Sequence, residues 1–109
     1  MSRIPDTART LVRSRAHHRC ERCGAPAPNG QWHHRRSRRV VDDHTHCPCN
    51  GVWLCGTCHR WAHANPTAAR PTGFIVSQWV TIPRMVPVIT SWGIRTHECE
   101  GTFAFLADR

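Results

Sequence analysis

The chain has 109 residues, a formal net charge of +8 and an apolar fraction of 39%. That length suits one small domain, and a core this lean would benefit from a metal staple. No apolar run is long enough for a membrane span, and the N-terminal stretch has no apolar signal-peptide core, so a cytoplasmic, intracellular protein is expected. All 15 basic residues are arginine; twelve lie in residues 1–70 with four acids, while residues 71–109 carry three of each. The choice of Arg over Lys fits a GC-rich genome. The asymmetry is a separate fact and points to a polyanion partner, most simply nucleic acid.

In chain order, residues 5–19 predict a helix, with Asp6 or Thr7 as N-cap. Ala8, Leu11, Val12 and Arg15 fall on one stripe of it, opposite an arginine-rich side. A cysteine knuckle, "CERCG", follows, then the loop "APAPNG". "QWHHRR" is an extended candidate, "SRRVVDDHTHCPCNG" a polar loop, and "VWL" a short strand. "CGTCHRWAHANP" predicts a short helix from about Thr57, ended by Asn65-Pro66. "TGFIVSQWV", "MVPVITSWG" and "GTFAFLA" are β-rich and punctuated by Pro and Gly, the last two suiting a hairpin. The expected class is α+β: a metal-stapled core over residues 1–70 with an N-terminal helix, and a β-rich extension over residues 71–109 packed on it.

Cys20-x2-Cys23 and Cys55-x2-Cys58 are two knuckles separated by 31 residues. In a reducing cytosol such pairs are more often metal ligands than disulfides. Four thiolates make a closed tetrahedral zinc site, whose binding energy is folding energy. Cys47 and Cys49 read as small loop residues, with a rearranged site using one of them as the alternative. Cys99 reads as a packed residue of the tail.

His59 and His63 stand at i and i+4 on one helical face, a frequent metal-ligand spacing. In an extended "WHHRR", His33 and His34 face opposite ways, so one can hold a metal while the other handles a proton. Three histidines would leave open positions on a divalent ion for phosphate and water. A neutral imidazole can take a proton from that water near pH 7. Arg35, Arg36, Arg38 and Arg39 directly follow and suit bidentate contact with DNA phosphates. His17 and His18 read as the polar end of the first helix. His44 and His46 lie near the proposed site and are candidates for touching metal or DNA. The tryptophans read as packing residues, Trp61 facing the core about 200° around its helix from His59, with base stacking as the alternative for one of them.

The order CxxC, "WHH", Asn50, "LCxxCHxxxH" resembles the HNH endonuclease family with its zinc-stapled ββα-metal core, over about residues 20–63. With "HHRR" at 33–36 and "GFIV" at 73–76, it looks most like small HNH proteins of actinobacterial phages. The resemblance implies that His33 is a metal ligand, His34 the general base, and Asn50 a brace for the loop and the base. It also implies that His59 and His63 complete the ligand set of a divalent ion (Mg2+, Mn2+, Ni2+ or Zn2+), with a structural zinc on the four cysteines. The implied activity is hydrolysis of DNA phosphodiester bonds, by nicking or double-strand cutting, to a 5′-phosphate and a 3′-hydroxyl. The 37–48 loop departs from the family: it lacks the usual glycine-rich stretch and carries Asp42, Asp43, His44 and His46 instead.

Two rivals remain at this point. One is a non-catalytic zinc-binding module for nucleic acid or a protein partner, which has no need of His34, Asn50, His59 and His63 together. The other is a nuclease active only with phage terminase or portal proteins, docked through the neutral tail. A zinc-finger transcription factor lacks its recognition helix here, and a thiol-redox protein lacks the βαβ context of its CxxC.

Overall fold

The computed structural model describes residues 3–107. Helix α1 spans Asp6–Arg15, preceded by Pro5, whose fixed φ suits a helix start; no side chain caps it. Asp6 and Thr7 are therefore not the cap, and Asp6 instead lies in the first turn. The helix ends four residues before the expected Arg19. His17 and His18 take φ of 54° and 60°, and the His18 amide donates back to the Arg13 carbonyl at 3.0 Å, closing the C-terminus in left-handed backbone. Ala8, Val12 and Arg15 face inward as their spacing requires, while Leu11 is 42% exposed.

Strands β1 (Gln31–His34) and β2 (Gly51–Leu54) pair antiparallel, with His33 opposite Val52 and His34 opposite Gly51. Helix α2 (Gly56–Ala64) follows β2 after one residue, Cys55, whose sulfur accepts from the Cys58 amide and caps the helix. The chain breaks at Asn65 and resumes as the short α3 (Pro66–Ala69), since the residue before a proline is disfavoured in helical backbone. Helix α2 and the extended "QWHH" thus form where expected.

The tail makes a separate three-stranded sheet, β3 (Val88–Thr90), β4 (Gly93–His97) and β5 (Phe103–Ala107), in that order. The segment read as a strand, "TGFIVSQWV", contributes only one parallel bridge, Val76 to Arg36. Gly73 bends it at its start, at φ +81°, where a Cβ would lie 2.0 Å from the Pro87 carbonyl oxygen. One apolar cluster joins both halves of the chain: Val12, Trp32, Val52, Trp53 and Leu54 pack with Phe74 and Val88.

A charged group sits at the centre of this core. Glu21, inside the first knuckle, is 0% exposed. Its carboxylate accepts from Arg15 Nη2 and Nε at 2.8 and 3.1 Å, from Arg95 Nη2 at 2.7 Å, and from the Trp53 amide at 2.8 Å. Arg15 also donates to the carbonyls of Pro48 and Gly51. Arg95 lies over the Phe103 ring at 4.0 Å. One acid thereby joins α1, β2 and β4. Removing one member of a buried charge network strands the others without compensation. Glu21→Ala is expected to lower unfolding free energy by about 3–5 kcal/mol in urea melts, whereas Asp6→Ala, at an exposed pair with Arg3, should leave the midpoint nearly unchanged.

Candidate metal centres and cleft

Cys20, Cys23, Cys55 and Cys58 come together, with all four sulfurs within 4.8 Å of one another, as a group that could hold a metal ion. Cys23 Sγ and Cys55 Sγ are 3.9 Å apart, close to the ~3.8 Å edge of a tetrahedron with metal–sulfur bonds of about 2.3 Å. The knuckles are built by local backbone. Amides of Cys23 and Cys58 point at the sulfurs of Cys20 and Cys55, at 3.5 and 3.4 Å, and Gly24 turns the chain at φ +79°. Arg22 Nη1 lies 3.4 Å from Cys58 Sγ, and its guanidinium stacks 3.6 Å over Trp61. Trp61 is therefore half-buried under Arg22 rather than facing the core. These donors suit a cluster of thiolates, whose negative charge they offset.

His33, His59 and His63 form a second group with metal-ligand spacing. Each ring is held from its far side or by its neighbour. His33 Nε2 donates to the Phe74 carbonyl at 2.7 Å, which leaves Nδ1 buried with no hydrogen-bond partner. His59 Nδ1 donates to Gln31 Oε1, and its Nε2 lies 3.0 Å from His63 Nε2. Tying one ring nitrogen to a carbonyl oxygen fixes the tautomer and frees the other as a ligand. An orphaned, buried Nδ1 on a ring whose centroid lies 5.3 and 5.2 Å from those of His59 and His63 is what a divalent ion would satisfy. Burial pushes the His33 pKa down to about 4, helped by His59 and His63 and opposed by the Phe74 bond. Burial, with His63, also lowers that of His59. Both rings are neutral at pH 7 and can donate lone pairs.

His34 faces away from this trio, as alternation along a strand demands. Its Nε2 lies 3.1 Å from His46 Nδ1, so Nδ1 is the nitrogen left for chemistry. Burial and then the Arg38 charge lower its pKa to about 4, keeping it unprotonated at neutral pH. His33, His34, His59 and His63 all line one open cleft of about 770 Å³, walled on its far side by residues 75–79. Arg38 and Arg70 line it too, and Trp79 stands at it 84% exposed.

Asn50 is 0% exposed. Its Oδ1 accepts from the Arg36 amide at 2.7 Å, and its Nδ2 donates to the carbonyls of Arg36 and Thr45. It braces the loop, but no bond reaches His34 itself; Asn50 is a positioning residue that cannot touch a substrate.

The arginine run needs a larger correction. Arg35 and Arg36 are each 1% exposed, and although Arg35 is among the residues at the cleft, both guanidiniums are taken up by the protein itself. Arg35 donates to the carbonyls of Gly73, Cys49, Pro83 and Val86. Arg36 donates to the carbonyls of Val80 and Thr81 and to Asp42. Both pin the tail against the end of β1. Arg38 is at the cleft, and Arg39 is exposed but outside the cleft lining. Gln31, Arg70 and the Phe74 carbonyl were not foreseen. A glutamine two residues before a paired histidine is the only one of these with a local signal.

Comparison of the chain with protein-family models, with curated proteins and with solved structures finds no match. Among the described residues, no helix is long and apolar enough to cross a membrane.

Because Gln31 only orients His59, Gln31→Ala is expected to weaken binding of Mn2+ or Ni2+ at the three histidines roughly 10–100-fold. Calorimetric titration checks this, with the metal content of the four-cysteine group unchanged.

Proposed function

We propose that the protein is a metal-dependent DNA endonuclease with a structural zinc on Cys20, Cys23, Cys55 and Cys58. The observation that carries this reading is the juxtaposition on one strand of two histidines with opposed duties. His33, with its Nδ1 unpartnered, groups with His59 and His63, and His34 presents a second neutral imidazole to the same cleft. A closed structural site has no use for the second imidazole, and a binding module has no use for either.

The chain's own residues account for the following steps. Arg38 and Arg70 hold a phosphate in the cleft by charge-assisted hydrogen bonds. His34, its ring fixed by His46, takes a proton from water as the oxygen attacks phosphorus. The bond from phosphorus to the 3′ oxygen breaks, leaving a 5′-phosphate and, after protonation, a 3′-hydroxyl. A divalent ion on His33, His59 and His63 would supply charge neutralisation at the phosphate and at the departing oxygen. Asn50, Arg35 and Arg36 act at one remove, by holding β1 and the 37–48 loop in register. Contacts to phosphate carry no base identity, so sequence preference is expected to be weak.

Supercoiled-plasmid nicking by zinc-loaded protein, with Mg2+, Mn2+ or Ni2+ added and with EDTA as control, tests this. Metal-dependent nicking is expected, reduced roughly 10²–10⁴-fold in His34→Ala with its circular dichroism unchanged. Undiminished nicking in that variant would remove His34 as the base. DNA binding with no cleavage under any metal would favour a non-catalytic module. In the same assay format, Arg38→Ala should lower the salt dependence of DNA binding by about one ion.

A further inference from the structure

The 37–48 loop and the β4–β5 turn meet at a cluster that neither the cleft nor the four-cysteine group uses. His44, Cys47, Cys49 and Cys99 each bring one ligand atom within 4.8 Å of the others. Cys49 is fully buried, and all seven cysteines are free thiols. Nδ1 of His44 is buried and makes no hydrogen bond. The Arg84 backbone amide lies against the Cys49 sulfur, and Arg84 Nε is 3.8 Å from Glu98, next to Cys99.

We propose that His44, Cys47, Cys49 and Cys99 bind a second structural zinc ion, clasping the 37–48 loop to the turn between β4 and β5. Three thiols and one imidazole are a complete tetrahedral set, which marks a closed site rather than a catalytic one. Soft sulfur donors select zinc over magnesium or calcium. Ordinary packing does not explain the group. Three small thiols could fill a core by themselves, but packing alone gives no reason for the His44 ring to turn in against the Cys47 sulfur and leave Nδ1 buried there. A disulfide does not explain it either, since pairing two sulfurs leaves the third thiol and His44 idle. The loop also lacks strand or helix between Arg36 and Pro48. Most of its bonds are turns within the loop, among Ser37, Val40, Asp42, His44, Thr45 and Cys47; Arg36 reaches Asp42 and Asn50 reaches Thr45, and none of these ties it to the β4–β5 turn. An ion here would tie the loop to that turn, across some fifty residues of sequence between Cys49 and Cys99. It would also fix His46, which sits between two of the ligands and contacts His34. This site stands whether or not the protein cleaves DNA.

Zinc stoichiometry tests it. The protein would be prepared with His59→Ala and His63→Ala, so that the three-histidine cluster holds nothing, and dialysed against a weak chelator. Elemental analysis and native mass spectrometry are expected to give two zinc ions per chain. Adding Cys47→Ser with Cys99→Ser should reduce this to one, and cobalt substitution should then show only a four-thiolate spectrum. One zinc in the parent protein, two in the cysteine variant, or a parent mass two hydrogens lighter from a disulfide would each overturn the proposal. The native mass of the parent decides the matter even if the variant fails to fold.

Discussion

Everything in this small protein is arranged around one carboxylate that has no access to water. Glu21 lies between two cysteines of a knuckle, yet its side chain turns inward to Arg15, Arg95 and the Trp53 amide. A lone buried charge would be costly. Here two guanidiniums and a backbone donor surround it, and Arg15 forwards the connection to the carbonyls beside β2. The apolar core is thin, so this polar centre does what a larger protein would leave to hydrophobic contact. It sets where α1, β2 and β4 must sit relative to the first pair of thiols.

The same economy appears around β1. Four consecutive residues, His33 to Arg36, divide into two histidines that line the cleft and two arginines whose guanidiniums hold structure. Arg35 gives its donors to four carbonyls between residues 49 and 86, and Arg36 gives Nη1 to the Val80 and Thr81 carbonyls and Nη2 to Asp42. The carbonyl of Phe74, carried in by the segment they anchor, then orients His33. Tail and core are one assembly, with the tail providing both the wall of the cleft and a partner for a candidate ligand.

Local spacing made much of this legible in the sequence. The two knuckles, the i, i+4 histidines and α2 depend on contacts within a few residues, which the spacing encodes, and the extended pattern of "QWHH" and "VWL" marked the two strands that pair across the intervening loop. The inward side of Arg15 followed from its place on the helix stripe, but the burial of Arg35, Arg36 and Arg95 was not legible, because an arginine becomes structural only when distant carbonyls or acids converge on it. Nothing in "HHRR" says that Pro83 and Val86 will be there. The gathering of Cys47 and Cys49 with Cys99 was hidden for the same reason, being a product of how β4 and β5 return to the loop. The formal charge also overstated the surface available to a polyanion, since three of the twelve arginines in residues 1–70 are buried.

The 74-residue separation between Glu21 and Arg95 has a consequence for the order of events during synthesis. A chain emerging from the ribosome exposes its first knuckle and its histidines long before Arg95 is available to share the Glu21 charge. Contacts so distant in sequence close late, because the intervening loop must first be ordered. Until Phe74 and Arg95 are available, neither the carbonyl that orients His33 nor the second guanidinium on Glu21 is in place. The cleft therefore depends on contacts that only the tail completes, the Phe74 carbonyl on His33 and Arg95 on Glu21.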